Sequence, residues 1–157
     1  MSTPVKPIPA GYSVVSPYLI IRGAAKALEF YQQVFGACER MRLEMPGGVI
    51  GHAEIQLGES VIMLADEFPQ MDCRGPESFG GSPVSLHVYV TDVDAVVAKA
   101  VANGAKIKRP VQNQFYGDRS GAIVDPFGHT WNIATHVEDV SPEEMTRRAK
   151  QAHGEKK

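Results

Sequence analysis

The chain has no dominant charge, almost no cysteine and no apolar run at its N-terminus, and each shortage removes a class of function. It carries 16 basic and 18 acidic residues among 157. Lys and Arg do not gather on one stretch before the tail, so neither nucleic acid nor an anionic membrane is expected as a partner. The two cysteines, Cys38 and Cys73, are too few for a disulfide framework and lack metal-site spacing, so both are expected as small hydrophobes in a reducing, cytoplasmic setting. Met1 to Gly11 holds three prolines and no apolar core, which reads as an extended arm rather than a signal peptide or a membrane span. A chain of this length buries roughly 70% of its unfolded surface without staples, and a single domain is the first expectation.

What is present is a repeat. Pro17 to Ile21 is followed by Gly23 to Tyr31 and closes on Gly36-Ala37, and Ser85 to Val90 is followed by Asp92 to Ala100 and closes on Gly104-Ala105. The two Gly-Ala pairs stand about 68 positions apart, and repetition at such a period decides architecture before any single residue is read.

Within the first copy, Val14 to Ile21 reads as a strand and Ala24 to Val34 as an amphipathic helix ended by Gly36 in the left-handed conformation. Strands are predicted at 38–45, 49–57 and 60–65, with turns at Pro46-Gly47-Gly48 and Gly58-Glu59-Ser60. Asp66 to Pro83 is crowded with proline and glycine and reads as a linker without regular structure. The second copy runs as a strand at 84–91, a helix at 92–102 capped by Asp92, and strands at 106–111, 119–125 and 129–136. Ser141-Pro142-Glu143-Glu144 predicts a capped C-terminal helix that passes into a charged tail. The expected fold class is α+β: two tandem βαβββ modules, at about 13–66 and 84–137, joined by linker 67–83 in a single domain over 1–140, with the helix and tail at 141–157.

Side chains alternate across a strand, so parity sorts each strand into two faces. His52, Glu54 and Gln56 share one face and oppose Ala53, Ile55 and Leu57. Ser85, His87 and Tyr89 oppose Val84, Leu86, Val88 and Val90, and Thr130, Asn132, Ala134 and His136 oppose Trp131 and Ile133. The apolar face packs on the helices, with Trp131 in the core and Phe30, Tyr31 and Phe35 fastening the first helix to its sheet. The polar face is either solvated or a partly enclosed recess. Its His, Tyr, Asn and Ser content favours the recess, because a wet outer face carries more Lys and Glu.

Phe30-Tyr31 and Phe35-Gly36-Ala37, together with Tyr116-Gly117-Asp118-Arg119 leading to Asp125-Pro126-Phe127-Gly128-His129, resemble the vicinal oxygen chelate superfamily of glyoxalase I, bleomycin-resistance proteins, extradiol dioxygenases and fosfomycin-resistance enzymes. Within it, the chain looks most like the PhnB-like branch, over about Val14 to His136. The resemblance implies sheets curled into a cup that holds the active or binding site, and a homodimer. It also implies metal positions on the first and last strand of each module, which fall here on Ser16, Met63, Ser85 and Asn132. An offset of two residues keeps the parity and brings His87 to the Ser85 place. Hydroxyl, thioether and amide groups do not make a tight Zn²⁺, Ni²⁺ or Fe²⁺ site, so the family chemistry that polarises adjacent substrate oxygens through a metal is not expected. No metal or other cofactor is called for on that count.

His52, Glu54 and His87 share a face by parity. They form a displaced metal site, an acid–base pair, or a set of hydrogen-bonded histidines that only shapes polarity. Arg119, with Tyr116 and Asp118 on a glycine-flanked loop, is expected either to grip a ligand oxyanion at the rim or to pair with Asp118 or stabilise the turn. His129 and His136 read as exposed turn and strand-end residues. Three functions follow. The first is binding of a small polar ligand without the usual metal, through Ser16, Tyr18, Met63, Ser85, His87, Tyr116, Arg119 and Asn132. The second is a metal-dependent or metal-free lyase, isomerase or transferase that uses His52, Glu54 or His87, and the third is a structural dimeric adaptor whose cup is vestigial.

Overall fold

A computed structural model describes residues 4–154. The chain divides into two compact units, one ending at Gly81 and the other beginning at Ser82. Each is a βαβββ module.

The first module comprises β1 (Tyr18–Ile21), α1 (Ala24–Phe35), β2 (Cys38–Met45), β3 (Val49–Leu57) and β4 (Ser60–Asp66), with a short helix α2 (Pro76–Phe79) after them. Its sheet has the order β1-β4-β3-β2, with β1 parallel to β4 and the other pairs antiparallel. Helix α1 buries Ala24, Ala27, Leu28, Phe30, Tyr31 and Val34, spaced to fill one stripe. That stripe belongs to a core shared with Leu19, Ile21, Ala53, Ile55, Ile62 and Leu64. Fully burying a large aliphatic or aromatic side chain contributes roughly 1.5–3 kcal/mol, so this face holds the module together. The C-cap Gly36 has φ 68°, a conformation glycine adopts without steric cost. The helix start lacks a side-chain cap of its own. Asp66 supplies one from the end of β4, accepting from the Gly23 and Ala24 amides at 3.1 and 2.8 Å and, with its other oxygen, from Ile50 at 2.7 Å.

The second module comprises β5 (Ser85–Tyr89), α3 (Val93–Ala102), β6 (Lys106–Asn113), β7 (Asp118–Val124) and β8 (Thr130–His136), followed by α4 (Pro142–Gly154). Its sheet order, β5-β8-β7-β6, repeats the first, again with one parallel pair. Val93, Val97 and Ala100 of α3 are buried, as are Ile123, Trp131 and Ile133. Asp92 caps α3 through the Ala95 amide at 3.1 Å. Thr135 occupies the place that Asp66 has in the first module, accepting from the Val93 amide at 2.9 Å. The indole Nε1 of Trp131 donates to Asp125 at 2.9 Å, and the other Asp125 oxygen accepts the amides of Phe127 and His129, both at 2.9 Å. One buried carboxylate thus closes the Asp-Pro-Phe-Gly turn and satisfies a core indole.

Several sequence expectations are corrected. Val14 and Val15 are exposed and precede the first strand, which begins at Tyr18. The segment 67–83 is structured. A 3₁₀ turn spans Pro69–Met71, α2 follows, and Phe68 bridges Cys73. Proline and glycine forbid long elements but suit single turns, and Glu67 ties these turns together. It accepts from the Gly75 amide at 2.7 Å, the Ser78 hydroxyl at 2.5 Å and Arg22 at 3.1 Å. Ser141 caps α4 through the Glu144 amide at 3.2 Å. Glu144, however, turns to Arg147 and Arg148 instead of closing the box, because two guanidiniums outcompete one exposed amide. Among the described residues, no helix is long and apolar enough to cross a membrane.

Candidate functional site

In the second module the polar face of the sheet forms a recess of about 390 Å³, lined by Ser82, Pro83, Val84, Ser85, Lys108, Arg109, Ala122, Thr130 and Asn132. Ser85 and Asn132 lie on the paired strands β5 and β8, and the Asn132 amide donates to the Ser85 hydroxyl at 3.0 Å. Arg109 reaches the recess from β6, the edge strand, where it stands opposite Ala122. Pro110 follows it and has no amide hydrogen to give, so the ladder shifts register on both sides of Arg109, as proline in an edge strand commonly requires. Ser120 is buried beside this wall, with Arg109 at 3.4 Å and the Tyr116 hydroxyl at 3.5 Å from its oxygen.

Further along the same face, buried Asp118 accepts from the Tyr89 hydroxyl at 3.1 Å. Its other oxygen lies 2.8 Å from His136 Nδ1, and His136 Nε2 lies 2.7 Å from Asp139. Both ring nitrogens therefore meet carboxylates. Hydrogen bonds to Asp118 and then Asp139 hold the imidazole pKa above its ordinary value against a small opposing cost of desolvation.

The first module builds a different network on its polar face. Glu54 on β3 is 4% exposed, and its partners replace the lost water. Tyr12 donates to one carboxylate oxygen at 2.6 Å, with the Arg40 guanidinium 3.8 Å from the same oxygen and 4.6 Å above the Tyr12 ring. His52 Nε2 lies 3.1 Å from the other oxygen. Burial pushes the Glu54 carboxyl up, but the hydrogen bonds from Tyr12 and His52 and the neighbouring positive charge outweigh it and hold the group below the usual carboxylate range. With Glu54 ionised, His52 Nε2 donates to it and Nδ1 is left to accept, which matches the Tyr18 hydroxyl at 2.8 Å. Burial raises the Tyr18 pKa, with smaller contributions from Cys73 and Glu54, so the hydroxyl stays protonated and donates. A register shift between Leu43 and Glu44 places Gly51 and His52 together on this face. Beside them is an apolar recess of about 440 Å³ lined chiefly by Tyr18, Ile20, Leu43, Met45, Phe68 and Met71.

These positions sort the residues expected from sequence. Ser85 and Asn132 line the polar recess, and Tyr116 stands behind it against Ser120. Tyr18 lines the apolar recess, and its register partner Met63 also faces Glu54 across β3 and β4. Ser16 lies two residues before β1 on the same parity as Tyr18. His52 and Glu54 are joined, whereas His87 on β5 meets the Tyr89 ring edge, at 4.9 Å between centroids.

Arg119 is a correction. Even-numbered residues of β7 face the recess, so Arg119 turns to the helix side, where it grips Asp94 at 2.7 and 2.9 Å and Asn113 at 3.1 Å. Its expected partner Asp118 faces the opposite way. His129 is a second correction, since it is half-buried in the Asp125 turn rather than exposed. His136 is exposed as expected but is tied by two carboxylates. Tyr12, Arg40 and Arg109 were not anticipated. Their signals were faint: an aromatic residue in a proline-rich arm, and a basic residue directly before a proline within a strand.

A family model for the Glyoxalase/Bleomycin resistance protein/Dioxygenase superfamily matches residues 14–133. The chain belongs to that superfamily. An uncharacterised protein of Mycobacterium bovis is 40% identical over 135 residues, covering 83% of this chain and 88% of the relative. Among solved structures, a gene product of Arabidopsis thaliana is 26% identical with a TM-score of 0.62, covering 78% of this chain and 98% of that one. The PhnB protein of Bacillus cereus shares the fold at 19% identity and a TM-score of 0.63, over 78% and 99% of the two chains.

The metal that many glyoxalase-superfamily enzymes use does not fit the residues at its implied positions. Asn132 and Ser85 engage each other, and Met63 offers only a thioether. Substituting His87 for Ser85 supplies one imidazole, directly opposite Asn132, which remains a single good ligand. Among the described residues, no group of three or more His, Cys, Asp and Glu side chains is arranged to hold a metal ion.

Proposed function

We propose that this glyoxalase/bleomycin-resistance-like protein binds a small polar molecule in the recess of its second module, without the usual metal centre. The observation that carries the reading is the Ser85–Asn132 pair, hydrogen-bonded at 3.0 Å in a cavity of about 390 Å³. Pockets of about 300–1,000 Å³ with a few convergent polar groups suit compact organic ligands. The test is an NMR-detected screen of small polar compounds that follows the Asn132 side-chain amide. Compounds that shift it should lose at least tenfold in affinity in Asn132→Leu and keep it after exhaustive chelation. Hits that never perturb Asn132 would overturn the placement. Stoichiometric transition metal in the purified protein, lost in a His52→Ala and His87→Ala double variant, would overturn the metal-free part.

A second reading, an acid–base lyase, isomerase or transferase, is favoured by the Glu54–His52–Tyr18 relay. A buried carboxylate orients the imidazole, and the imidazole accepts from the hydroxyl of Tyr18, a residue that is itself half-exposed. Solvent deuterium entering a bound compound in the native protein, but not in Glu54→Gln, would favour catalysis over sequestration. A homodimer is part of the proposal, supported by the exposed apolar row Met41, Leu43 and Met45 on edge strand β2. Sedimentation velocity showing only monomer would reject it.

A further inference from the structure

We propose that the recess of the second module selects an oxyanion, the carboxylate or phosphate group of a small organic acid, and that Arg109 is the residue that grips it. The inference rests on the reading of this recess as a ligand site and adds the charge class of the ligand. The chain contains eight arginines. Arg22, Arg40, Arg42, Arg74, Arg119, Arg147 and Arg148 each lie within 4.0 Å of a carboxylate. Arg109 alone has no acidic partner among the described residues. Its only hydrogen bond there is a long one, 3.4 Å to the Ser120 hydroxyl, although it is half-buried. Lys108 lines the same wall, and the lining holds no Asp or Glu. A partly desolvated guanidinium with most of its donor fork unused presents the geometry that binds carboxylate and phosphate oxygens in pairs.

The facing groups suit the same ligand. Ser85 Oγ accepts the Asn132 amide, so the Ser85 hydrogen is free to point elsewhere, and Thr130 adds a second hydroxyl to the lining. Hydroxyl donors on β5 and β8 thus oppose a cation on β6. A cation, or a ligand that only accepted from uncharged donors, would leave the Arg109 charge uncompensated once the recess filled, which is costly at a half-dry site.

Three probes of similar shape test this: benzoate, phenyl phosphate and benzamide, each titrated into the ¹⁵N-labelled full chain while the Arg109 Nε–H and Asn132 amide signals are followed. Benzoate or phenyl phosphate should bind at least tenfold more tightly than benzamide, and the tighter of the two anions identifies the oxyanion. That affinity should fall as salt rises. Arg109→Met should lose at least tenfold for the anions and little for benzamide, and Arg109→Lys should recover part of the loss. If Arg109→Met fails to fold, the comparison of charged and neutral probes in the native chain decides alone. Benzamide matching the anions at the Asn132 signal would overturn the anion selection and leave the ligand site standing. If no probe moves Asn132, both fall together.

Discussion

The hydroxyl of Tyr12 donates to the carboxylate of Glu54 at 2.6 Å, joining residues 42 positions apart. Through this bond the N-terminal arm covers the most buried charge on the polar face of the first module. Arg40 locks the arrangement, lying against the Tyr12 ring and donating to the Gly11 carbonyl at 3.4 Å.

Tyr12→Phe should therefore act on Glu54 more than on packing. Removing the hydrogen bond takes away the largest influence that lowers the Glu54 pKa, while burial continues to raise it. The Glu54 carboxyl should titrate at a higher pH in the variant, as read by its side-chain ¹³C shift. Urea unfolding should show a lowered midpoint, because a hydrogen bond to a charged group is lost.

Asp125→Ala should be among the most damaging single changes. It removes the acceptor shared by the Trp131 indole and the amides of Phe127 and His129, and a buried or half-buried donor that loses its acceptor costs about 1–3 kcal/mol before relaxation. A loss of roughly 3 kcal/mol is expected. The chain has one tryptophan, so its fluorescence reports the second module directly during denaturation.

Gly117→Ala should destabilise the same module. Gly117 has φ 98°, and an added Cβ would come within 2.1 Å of the Glu138 carbonyl, which cannot move while the amides of Val137 and Glu138 both donate to Gly117 O. Overpacking and the left-handed backbone together should cost about 2–4 kcal/mol, visible as a lowered urea midpoint with an unchanged slope.

Acid stability should depend on Glu67. Its carboxyl is held at about 2 by hydrogen bonds from Ser78, Gly75 and Arg22, against an ordinary value of 4.5. A carboxyl depressed on folding contributes stability that is complete above its unfolded value and is lost as pH falls through its folded one. Between about pH 4.5 and 2 the native protein should lose stability with a slope that Glu67→Gln flattens. Equal slopes in the two proteins would show that the segment 67–78 does not depend on this carboxylate.

His136 should contribute in the opposite sense. Its raised pKa gives stability that is complete below about pH 6.5 and fades as pH rises through the folded value. His136→Asn should remove that alkaline-side decline, measured by melting temperature across pH 6 to 9.

Much of the fold was legible in the sequence because the information was local. The two Gly-Ala helix ends, the alternation along 49–57 and 129–136, and the Asp92 and Ser141 caps each depend on residues a few positions apart, and all appear in the structure near their predicted places. The site was less legible. Parity put His52 beside Glu54 and Ser85 on the face of Asn132, since a pleat repeats every two residues. It missed Arg119, which reads from sequence as part of a loop at the rim; Asp118–Val124 is strand, so Arg119 shares the helix side with buried Ile123 and Asp118 takes the polar face.

The amino-acid order alone established a duplicated βαβββ chain with a polar face in each module, because backbone periodicity and side-chain chemistry do not depend on what lies across the fold; the metal positions came from the family resemblance. Folding in three dimensions decided which polar groups meet. Tyr12 reaches Glu54 across 42 residues, Asn132 reaches Ser85 across 47, and the register shifts around Pro110 turn Arg109 into the recess without a carboxylate to meet it. Partners so distant in sequence are chosen by strand register and burial, which no short stretch of residues encodes.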